Sequence, residues 1–402
     1  MATIAVLGTL DSKGHEHAFV ADAIRRMGHA PLLIDAGCLA PPQITPDIPS
    51  SAICKDLASL PEDRGQRVAA MAAALPAFIA DLAASGRIQG IIALGGGGGT
   101  AIATAAMRAL PVGFPKLMVS TLASGNTAPY VGSKDITMMP SIVDVAGLNR
   151  ISRRLFTNAA GAICGMVSAA ADLPADSSSD RPLVVASMFG NTTTCVNEAM
   201  RLMESAGCEV LVFHATGTGG RTMEALIESG LATGVLDITT TEWADELVGG
   251  ILGAGPTRLD AAAHARIPAI VAPGCLDMVN FGEPHTVPAK FANRTFYHHN
   301  PQVTLMRTSP DECAALGRIL AEKVNAYSAP VSVLLPLRGI SIISTEGQPF
   351  HDPAADAALF NAIRQHLRPG IPLVELDVTI NDPLFAAACV NALLPHLPIK
   401  SH

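Results

Sequence analysis

The chain has 402 residues, of which 49% are hydrophobic but only 4% aromatic, and its formal net charge is -8. This length indicates two or three domains, each able to bury its own core. The modest negative charge comes without a basic stripe, which excludes nucleic acid as an electrostatic partner. Because alanine, valine, isoleucine and leucine supply the packing, the composition favours parallel sheets covered by helices of small residues.

The cysteines and the apolar runs predict a soluble protein of a reducing compartment. The eight cysteines are scattered, with no CxxC pair, which is typical of reduced and mostly buried thiols. Residues 1–6 lack the basic region and the cleavage site of a signal peptide. Two uncharged runs, 88–107 and 155–171, are rich in glycine and alanine, so we interpret both as buried core. We therefore expect a cytoplasmic protein with no membrane partner.

The first half of the chain alternates short apolar runs with longer helical patterns, which predicts a parallel sheet covered by helices. The predicted strands cover residues 3–8, 31–34, 90–94 and 115–120, and a strand with a loop covers 131–142. The predicted helices cover residues 15–27, 64–85, 100–110 and 148–171. We expect Pro76 to kink the second of these helices.

Residues 172–182 are polar, rich in serine and bounded by prolines, which is typical of a linker. This linker predicts two domains, 1–175 and 182–402. The pattern then begins again, because the segment 229–238 mirrors 85–94 and the segment 268–272 mirrors 115–119. The sequence therefore predicts an α/β protein made of two Rossmann-like, doubly wound parallel-sheet domains of related plan.

The most informative stretch is residues 90–100, where five consecutive glycines follow an apolar run and precede a helical one. A strand, a glycine turn and a helix together present backbone N–H groups to an anion, and the helix N-terminus adds partial positive charge. The stretch lacks the lysine of a GxxxxGK[ST] loop, and it is not a dinucleotide fingerprint after the first strand. We interpret it as a phosphate-binding loop. The alternative is a tight turn against a neighbouring backbone.

Three loops of the first half are expected at the carboxyl edge of the sheet, where ligands of open parallel sheets bind. These loops supply backbone N–H groups, hydroxyls and Lys13, which suits a nucleotide with Mg²⁺, and the candidate metal ligands are Asp11 and Asp135. The alternatives are a solvated lysine at Lys13 and a helix N-cap at Asp11. The predicted nucleotide-binding residues are Gly8, Thr9, Asp11, Lys13, Gly95, Gly96, Gly97, Gly98, Gly99, Thr100, Thr121 and Ser124.

The second half offers a different set of polar residues at its expected strand ends. The candidate catalytic residues are His214 as an acid or base, Glu242 as a carboxylate, and Arg258 as a grip for a carboxylate or phosphate. For His214 the alternative is a hydrogen-bonded structural role. This set fits an acidic small molecule, and its predicted binding residues are Asn191, Thr192, Gly217, Gly219, Gly220, Thr240 and Gly274.

Motifs spread over nearly the whole chain together resemble a known family. They comprise residues 8–14, 95–100, 214–220, 274–281, 296–301, 304–308 and 381–382. In combination they are similar to the ATP-binding domain family of uncharacterised bacterial proteins, which also forms the N-terminal part of the plant tobamovirus-resistance protein. The resemblance implies two Rossmann-like subdomains, self-association as a homodimer or higher oligomer, and ATP with Mg²⁺ in the first half. It implies no reaction, and an aspartate of the family pattern is missing near Ile343 or Ser344.

These observations lead to one main functional hypothesis and two alternatives. The main hypothesis is an ATP-dependent enzyme that transfers a phosphoryl or adenylyl group to an acidic substrate across the domain cleft. One alternative is a binding or regulatory module that responds to ATP without turnover. The other is a lyase or hydrolase that acts in the second domain without ATP.

Overall fold

The structure, a computed structural model, describes residues 1–57, 60–61, 63–172 and 181–399. The chain divides into two compact units, unit 1 (Met1–Ser178) and unit 2 (Ser179–His402). Most of the predicted linker at 172–182, namely residues 173–180, lies outside the described residues.

Unit 1 is built on a parallel sheet with the strand order β2-β1-β3-β4-β5. The strands are β1 (Thr3–Gly8), β2 (Ala30–Asp35), β3 (Gly90–Gly95), β4 (Lys116–Ser120) and β5 (Thr137–Pro140). The helices are α1 (Leu10–Arg26), α2 (Ser50–Ile53), α3 (Arg64–Ala84), α4 (Gly97–Arg108), α5 (Ala128–Val131) and α6 (Arg150–Asp172).

Helices cover both faces of this sheet, which is why the middle of each strand is apolar. In β3, Ile91 and Ala93 pack against the side of α3 and α4, whereas Ile92 and Leu94 pack against the side of α1 and α6. Successive side chains of a strand point to opposite faces, so each face of the sheet takes every second residue. The β3 part of the uncharged run 88–107, which the sequence analysis interprets as core, is therefore buried on both faces of the sheet.

Two helices of unit 1 begin earlier than the sequence patterns predicted. Helix α1 begins at Leu10 rather than at residue 15, and its backbone leaves helical geometry at Lys13, with φ -133° and ψ 29°. Helix α4 begins at Gly97 rather than at residue 100, so three glycines form its first turn. Glycine is a poor helix former, so the sequence favoured a turn there, but packing of the rest of α4 on the sheet outweighs that preference.

Unit 2 contains a larger parallel sheet and a small antiparallel one. Its strands are β6 (Leu183–Met188), β7 (Glu209–His214), β8 (Gly234–Thr239), β9 (Ala269–Gly274), β10 (Met278–Phe281), β11 (Phe296–Asn300), β12 (Val303–Arg307), β13 (Val331–Pro336) and β14 (Leu373–Leu376). Its helices are α7 (Thr193–Ser205), α8 (Thr218–Glu228), α9 (Glu242–Val248), α10 (Ala261–Ala265), α11 (Pro310–Asn325), α12 (Pro353–His366) and α13 (Pro383–Leu393).

The two parallel sheets share one topology. Read from β7, the sheet of unit 2 has the order β7-β6-β8-β9-β13, with β14 beyond it, and each neighbouring pair is parallel. When the strands of each parallel sheet are numbered in chain order, their order across the sheet is 2-1-3-4-5 in both units. The antiparallel sheet has the order β10-β12-β11. The prediction of two Rossmann-like parallel sheets of related plan is confirmed.

One helix in the described part of the chain is long and apolar enough to cross a membrane by length and composition alone. It is the part of α3 from Gly65 to Ala84, and 22% of its most apolar window is buried. Its residues Met71, Leu75 and Ile79 are fully buried against the sheet. The two runs considered in the sequence analysis lie elsewhere, because 88–107 splits into β3 and α4, and 155–171 belongs to α6.

Helices α11 and α12 pack closely at Gly317. A Cβ atom at this position would lie 2.4 Å from the carbonyl oxygen of Leu359 and 2.8 Å from the Cβ of Ala362. Both distances are shorter than non-bonded atoms tolerate, and backbone cannot swing aside as a flexible side chain does. Glycine at this position therefore sets the distance between the two helices.

We expect Gly317→Ala to lower the free energy of unfolding by about 1–3 kcal/mol, because the helices must separate. The matched control is Gly161→Ala in α6, whose new Cβ would meet its nearest atom, the Cε of Met27, at 3.8 Å. That change is expected to be neutral or to stabilise by up to about 1 kcal/mol. Urea unfolding of both variants measures the difference, and equal stabilities would contradict the packing argument.

Candidate functional site

The carboxyl edge of the unit 1 sheet holds a cavity at the point where the strand order reverses. Helix α1 follows β1 onto one face of the sheet, and α4 follows β3 onto the other. The loops between these elements separate there, and such a crevice is the usual ligand site of open α/β sheets. The cavity has a volume of about 330 Å³ and is lined by Thr9, Asp11, Ser12, Lys13, Cys38, Leu39, Val68, Gly96, Gly97, Gly98, Gly99 and Ile102.

The first turn of α4 faces this cavity with its backbone uncovered. Gly97 and Gly98 are exposed, and no side chain caps the helix at Gly96. The first N–H groups of a helix have no acceptor within the helix, and the helix dipole adds partial positive charge there. This end of the 12-residue helix is therefore suited to an anion.

The surrounding protein gives no steric reason for glycine at this turn. A Cβ at Gly98 would meet no atom within 4 Å, and at Gly96 and Gly97 the nearest atoms would lie at ordinary contact distances of 3.8 and 3.9 Å. None of the glycines at 95–99 has a positive φ. Each glycine in a helix is less favourable than alanine by about 1 kcal/mol. The packing of the chain therefore does not account for the glycines of this turn.

The N-terminus of α1 lies at the same edge of the sheet, but its hydrogen-bond acceptor comes from a side chain of the protein. The carboxylate of Asp35, at the end of β2, accepts hydrogen bonds from the N–H groups of Leu10 at 3.1 Å and Gly37 at 2.7 Å. Burial raises the pKa of Asp35, and the neighbouring carboxylate of Asp11 adds to this shift. The protein's own carboxylate therefore occupies the anion position of α1, and the sequence analysis assigned no role to Asp35.

Lys13 and Asp11 line the cavity and also bond to the chain. The ammonium group of Lys13 donates to the carbonyl of Val145, which follows β5. Asp11 Oδ2 accepts from the N–H group of Leu39 at 3.1 Å. The N-cap of α1 is Thr9, so Asp11 does not have the N-cap role considered for it. The structure brings Thr9, Asp11 and Lys13 together with the glycines, as the sequence predicted.

Thr121 and Ser124 lie at a second cavity on the other side of the glycine turn. This cavity, of about 360 Å³, is also lined by Ser141, Ile142, Val143 and Asp144. The strand ends Gly95 and Ser120 are register partners, so the two cavities follow adjacent strands. A Cβ at Gly96 would lie 3.8 Å from Thr121 Oγ1. Thr121 and Ser124 are thus near the helix end but outside the first cavity.

Three predicted nucleotide-binding residues serve packing instead. Thr100 is fully buried, and its hydroxyl bonds that of Ser120 at 2.7 Å. Gly8 is a glycine because a Cβ there would lie 2.0 Å from the Nε2 atom of His17. Gly95 is a glycine because a Cβ would lie 3.0 Å from the backbone of Gly99. The assignment of these residues to a nucleotide is corrected on these grounds.

Asp135 is at the wrong end of the sheet to share a metal ion with Asp11. Its carboxylate pairs with the buried ammonium of Lys116, the first residue of β4, at 2.7 Å, and accepts from the N–H group of Gly113 at 2.8 Å. Partial burial opposes ionisation, but the bond from Lys116 lowers the pKa of Asp135. The predicted metal role of Asp135 is therefore wrong, and no group of three or more metal-ligating side chains occurs among the residues that the structure covers.

In unit 2, Arg258 is buried in an ion-pair network instead of lining a cavity. Its guanidinium is 1% exposed and bonds Asp237 twice, at 2.5 and 2.6 Å, Glu242 at 2.7 Å and Glu224 at 3.0 Å. A further contact of 3.5 Å reaches the carbonyl of Thr239. Burial disfavours the charge, but the three carboxylates raise the pKa of Arg258 well above its usual value. With every donor used, Arg258 cannot grip a substrate, and this prediction is corrected.

Glu242 occupies the anion position that the sequence analysis reserved for a substrate. Its Oε1 accepts from the N–H groups of Gly217 at 2.7 Å and Gly220 at 3.1 Å, at the start of α8. A Cβ at Gly220 would lie 2.1 Å from Glu242 Oε2. The glycines of this turn therefore accommodate the chain's own carboxylate, and Glu242, fully buried, is not a catalyst facing solvent.

The other residues predicted for the second site also bond within the chain. The hydroxyls of Thr192 and Thr239 bond each other at 2.7 Å, and the hydroxyl of Thr240 donates to the carbonyl of Ala272. The carbonyl of Asn191 accepts from the amide of Asn381. Thr192 and Thr240 are fully buried, and their assignment to a substrate is corrected.

Backbone contacts explain the two remaining glycines of that set. A Cβ at Gly219 would lie 1.7 Å from the carbonyl oxygen of His214, and a Cβ at Gly274 would lie 2.2 Å from that of Ile238.

The side chain of His214 is exposed at the end of the edge strand β7. Strand β6 lies between β7 and β8, the strand that precedes Glu242, so His214 is not part of the Arg258 network.

Ser344 lies where the resemblance noted in the sequence led us to expect an aspartate. Ser344 is buried, and its hydroxyl accepts from the N–H groups of Ile340 and Ser341 at 3.0 Å each. A serine hydroxyl thus closes this turn in the present chain.

Asp245 is a buried carboxyl group beside Asn280 that the sequence analysis did not identify. Its oxygens accept from the backbone N–H of Asn280 at 2.9 Å and from the side-chain amide of Asn280 at 2.7 Å. Burial raises the pKa of Asp245 to about 7. The Oδ1 atom of Asn280 has no partner in the described structure. A protonated Asp245 would donate to that oxygen once the Asn280 amide is turned by 180°.

We expect this group to make the stability of the protein depend on pH. The pKa is raised on folding, from 3.8 to about 7, so the contribution of Asp245 is complete below pH 4 and is lost as the pH rises to about 7. Asp245→Asn keeps the shape without a charge, so its free energy of unfolding should exceed that of the wild type at pH 7.5 but not at pH 4. Denaturant titrations at both values measure this, and parallel pH profiles would refute it.

Comparison with known sequences identifies the family to which this chain belongs. Residues 2–172 match the description "Uncharacterised protein family (UPF0261) N-terminal domain", and residues 181–397 match its C-terminal domain. A UPF0261 protein of Clostridium tetani is 47% identical over 97% of this chain and 98% of its own length. One of Rhizobium meliloti is 47% identical over 98% of both. The ToMV resistance protein Tm-1(GCR237) of Solanum lycopersicum is 40% identical over 84% of this chain and 46% of the tomato protein. The chain therefore belongs to the UPF0261 family and contains both of its domains.

Proposed function

We propose that this protein binds the triphosphate of ATP, with Mg²⁺, at the first turn of α4. The observation that carries the proposal is the run of glycines at the first turn of α4, an uncapped helix end beside a cavity. No neighbouring atom of the chain requires glycine at this turn. A phosphate accepts several N–H groups at once and is drawn by the partial positive charge of the helix. The resemblance noted in the sequence favours ATP among phosphate ligands.

The walls of the cavity suit the rest of such a ligand. Cys38, Leu39, Val68 and Ile102 offer an apolar surface to a base, and the volume of about 330 Å³ falls in the range of small-molecule sites. Mg²⁺ uses one or two protein carboxylates and completes its shell with phosphates and water, and Asp11 is the carboxylate in this lining. The charge of Mg²⁺ would also relieve repulsion between Asp11 and the phosphates.

The structure favours binding without turnover as the second candidate function. The residues expected to catalyse transfer, Glu242 and Arg258, neutralise each other in the interior of unit 2. A phosphoryl or adenylyl transfer to an acidic substrate would therefore need other residues. We accordingly propose a module that responds to ATP. None of its cysteines forms a disulfide, so we place it in a reducing cytoplasm, where they stay reduced. Self-association as a homodimer or higher oligomer belongs to the same proposal, on the strength of the resemblance.

We expect Gly98→Ala to raise stability and weaken ATP binding together. The new methyl group meets no protein atom within 4 Å, so the helix gains about 0.5–1 kcal/mol. The same methyl would stand where the phosphate approaches, and the affinity for ATP should fall about tenfold, or about 1.4 kcal/mol. Thermal unfolding and calorimetric titration with ATP and Mg²⁺ measure the two effects.

The control for this variant is Gly165→Ala, an exposed position of α6 where a Cβ also meets nothing within 4 Å. Its stability should rise similarly and its ATP affinity should stay at the wild-type value. Absence of binding heat with wild-type protein at millimolar ATP would end the proposal, and so would unchanged affinity in Gly98→Ala.

We expect the effect of Mg²⁺ on ATP binding to depend on Asp11 but not on Asp135. Asp11→Asn should weaken binding about tenfold in the presence of Mg²⁺, because the metal contact is lost, and should strengthen it in EDTA, because the carboxylate no longer repels the phosphates. Asp135→Asn makes the same change of charge beside Lys116, so it should lower the melting temperature and leave binding intact. Titrations with and without EDTA test this, and loss of the Mg²⁺ effect in Asp135→Asn alone would reverse the assignment.

A further inference from the structure

A second kind of cavity lies in unit 2, beside the antiparallel sheet. It has a volume of about 190 Å³ and is open to the surface. One wall is apolar and comes from the segment 284–292, with two prolines, a valine and two alanines. The other wall consists of Phe296, His298 and Thr304. It lies outside unit 1, so nothing in the proposed nucleotide site accounts for it.

The strands explain why three different side chains share this wall. In the antiparallel pair β11 and β12, His298 is the register partner of Thr304. Phe296 stands two residues before His298 and therefore points to the same face. The wall thus combines an aromatic ring, an exposed imidazole and a hydroxyl within one small area.

The hydroxyl of Thr304 is the one buried polar group of this wall and bonds nothing in the described structure. Thr304 is 1% exposed, and its Oγ1 has no hydrogen-bond partner. Its backbone N–H, by contrast, donates to the carbonyl of Gly282 at 3.1 Å. A buried hydroxyl without a partner destabilises a fold, and valine has nearly the same shape. The fold alone therefore gives no reason for threonine at this position.

We propose that this cavity binds a small, mostly apolar molecule that carries a single hydroxyl or carbonyl group, of the size of a phenol. The apolar body would lie between the prolines and the ring of Phe296, and its polar group would pair with Thr304 Oγ1. A hydroxyl both donates and accepts, so either kind of polar group is satisfied. An apolar cavity of about 150 Å³ holds a benzene ring, so 190 Å³ admits a ring with one substituent.

The test compares phenol with toluene, which have nearly the same size and differ in the hydroxyl. The variants are Thr304→Val, which removes the hydroxyl, and Thr304→Ser, which keeps it. The methyl groups of Ala289 and Ala292 lie in the wall of the cavity and report occupancy by NMR. Titration to millimolar ligand gives the dissociation constants for each variant.

We expect phenol to bind the wild type and Thr304→Ser, and to bind Thr304→Val about tenfold more weakly. Toluene should bind the wild type and Thr304→Val equally. Without ligand, Thr304→Val should melt about 2–4 °C higher than the wild type, because a buried unpaired hydroxyl is gone. This rise also shows that the variant is folded.

Three results would overturn the proposal. The first is that neither ligand shifts the methyl signals of Ala289 and Ala292, which would mean that the cavity holds only water. Phenol binds Thr304→Val as well as the wild type, which would remove Thr304 from recognition. Toluene loses affinity in Thr304→Val to the same extent as phenol, which would indicate a change of shape instead of a lost hydrogen bond. None of these outcomes depends on ATP binding in unit 1.

Discussion

The N–H groups at the start of each helix need an acceptor, and this requirement shapes the carboxyl edges of both parallel sheets. Asp35 supplies the acceptor for α1 and Glu242 supplies it for α8. Helix α4 has no side-chain cap, although it stands at the same edge as α1. An exposed helix end can take acceptors from water, but water does not explain three glycines in the first turn. The proposed ligand site at α4 therefore differs from the structural turns at α1 and α8 in having no side-chain acceptor at its helix end.

The general architecture was predictable because it depends on patterns that span many residues. Uncharged apolar runs at regular intervals specify buried parallel strands, and the second half repeats the first closely enough to give the same strand order. The position of the glycine loop at the cavity followed from the same reasoning, because it places strand ends at one edge. Helix boundaries were less accurate, as at Gly97, since helix propensity is weak beside tertiary packing.

The chemistry of unit 2 was mispredicted because a sequence does not show which charges meet. Arg258 and Glu242 were predicted as catalytic residues, yet each neutralises the other, with Asp237 and Glu224 completing the network. Asp135 was misplaced for a related reason, since Lys116 at the start of β4 draws it to the opposite end of the sheet. An apolar run that contains one charged residue, as at Asp237 in β8, is the available signal for such a network. A lone charge in a buried strand needs a partner within the fold.

The buried carboxylate of Glu242 also sets one half of the chain apart from the other. The two parallel sheets share one strand order, yet the anion position at the start of α8 has a permanent occupant, whereas the start of α4 has no side-chain cap. A substitution of Glu242 would leave Asp237 and Glu224 as counter-charges of Arg258, but it would remove the acceptor of the N–H groups of Gly217 and Gly220. A change at that turn therefore breaks bonds within the chain, whereas a side chain at the exposed Gly98 meets no atom of the chain within 4 Å.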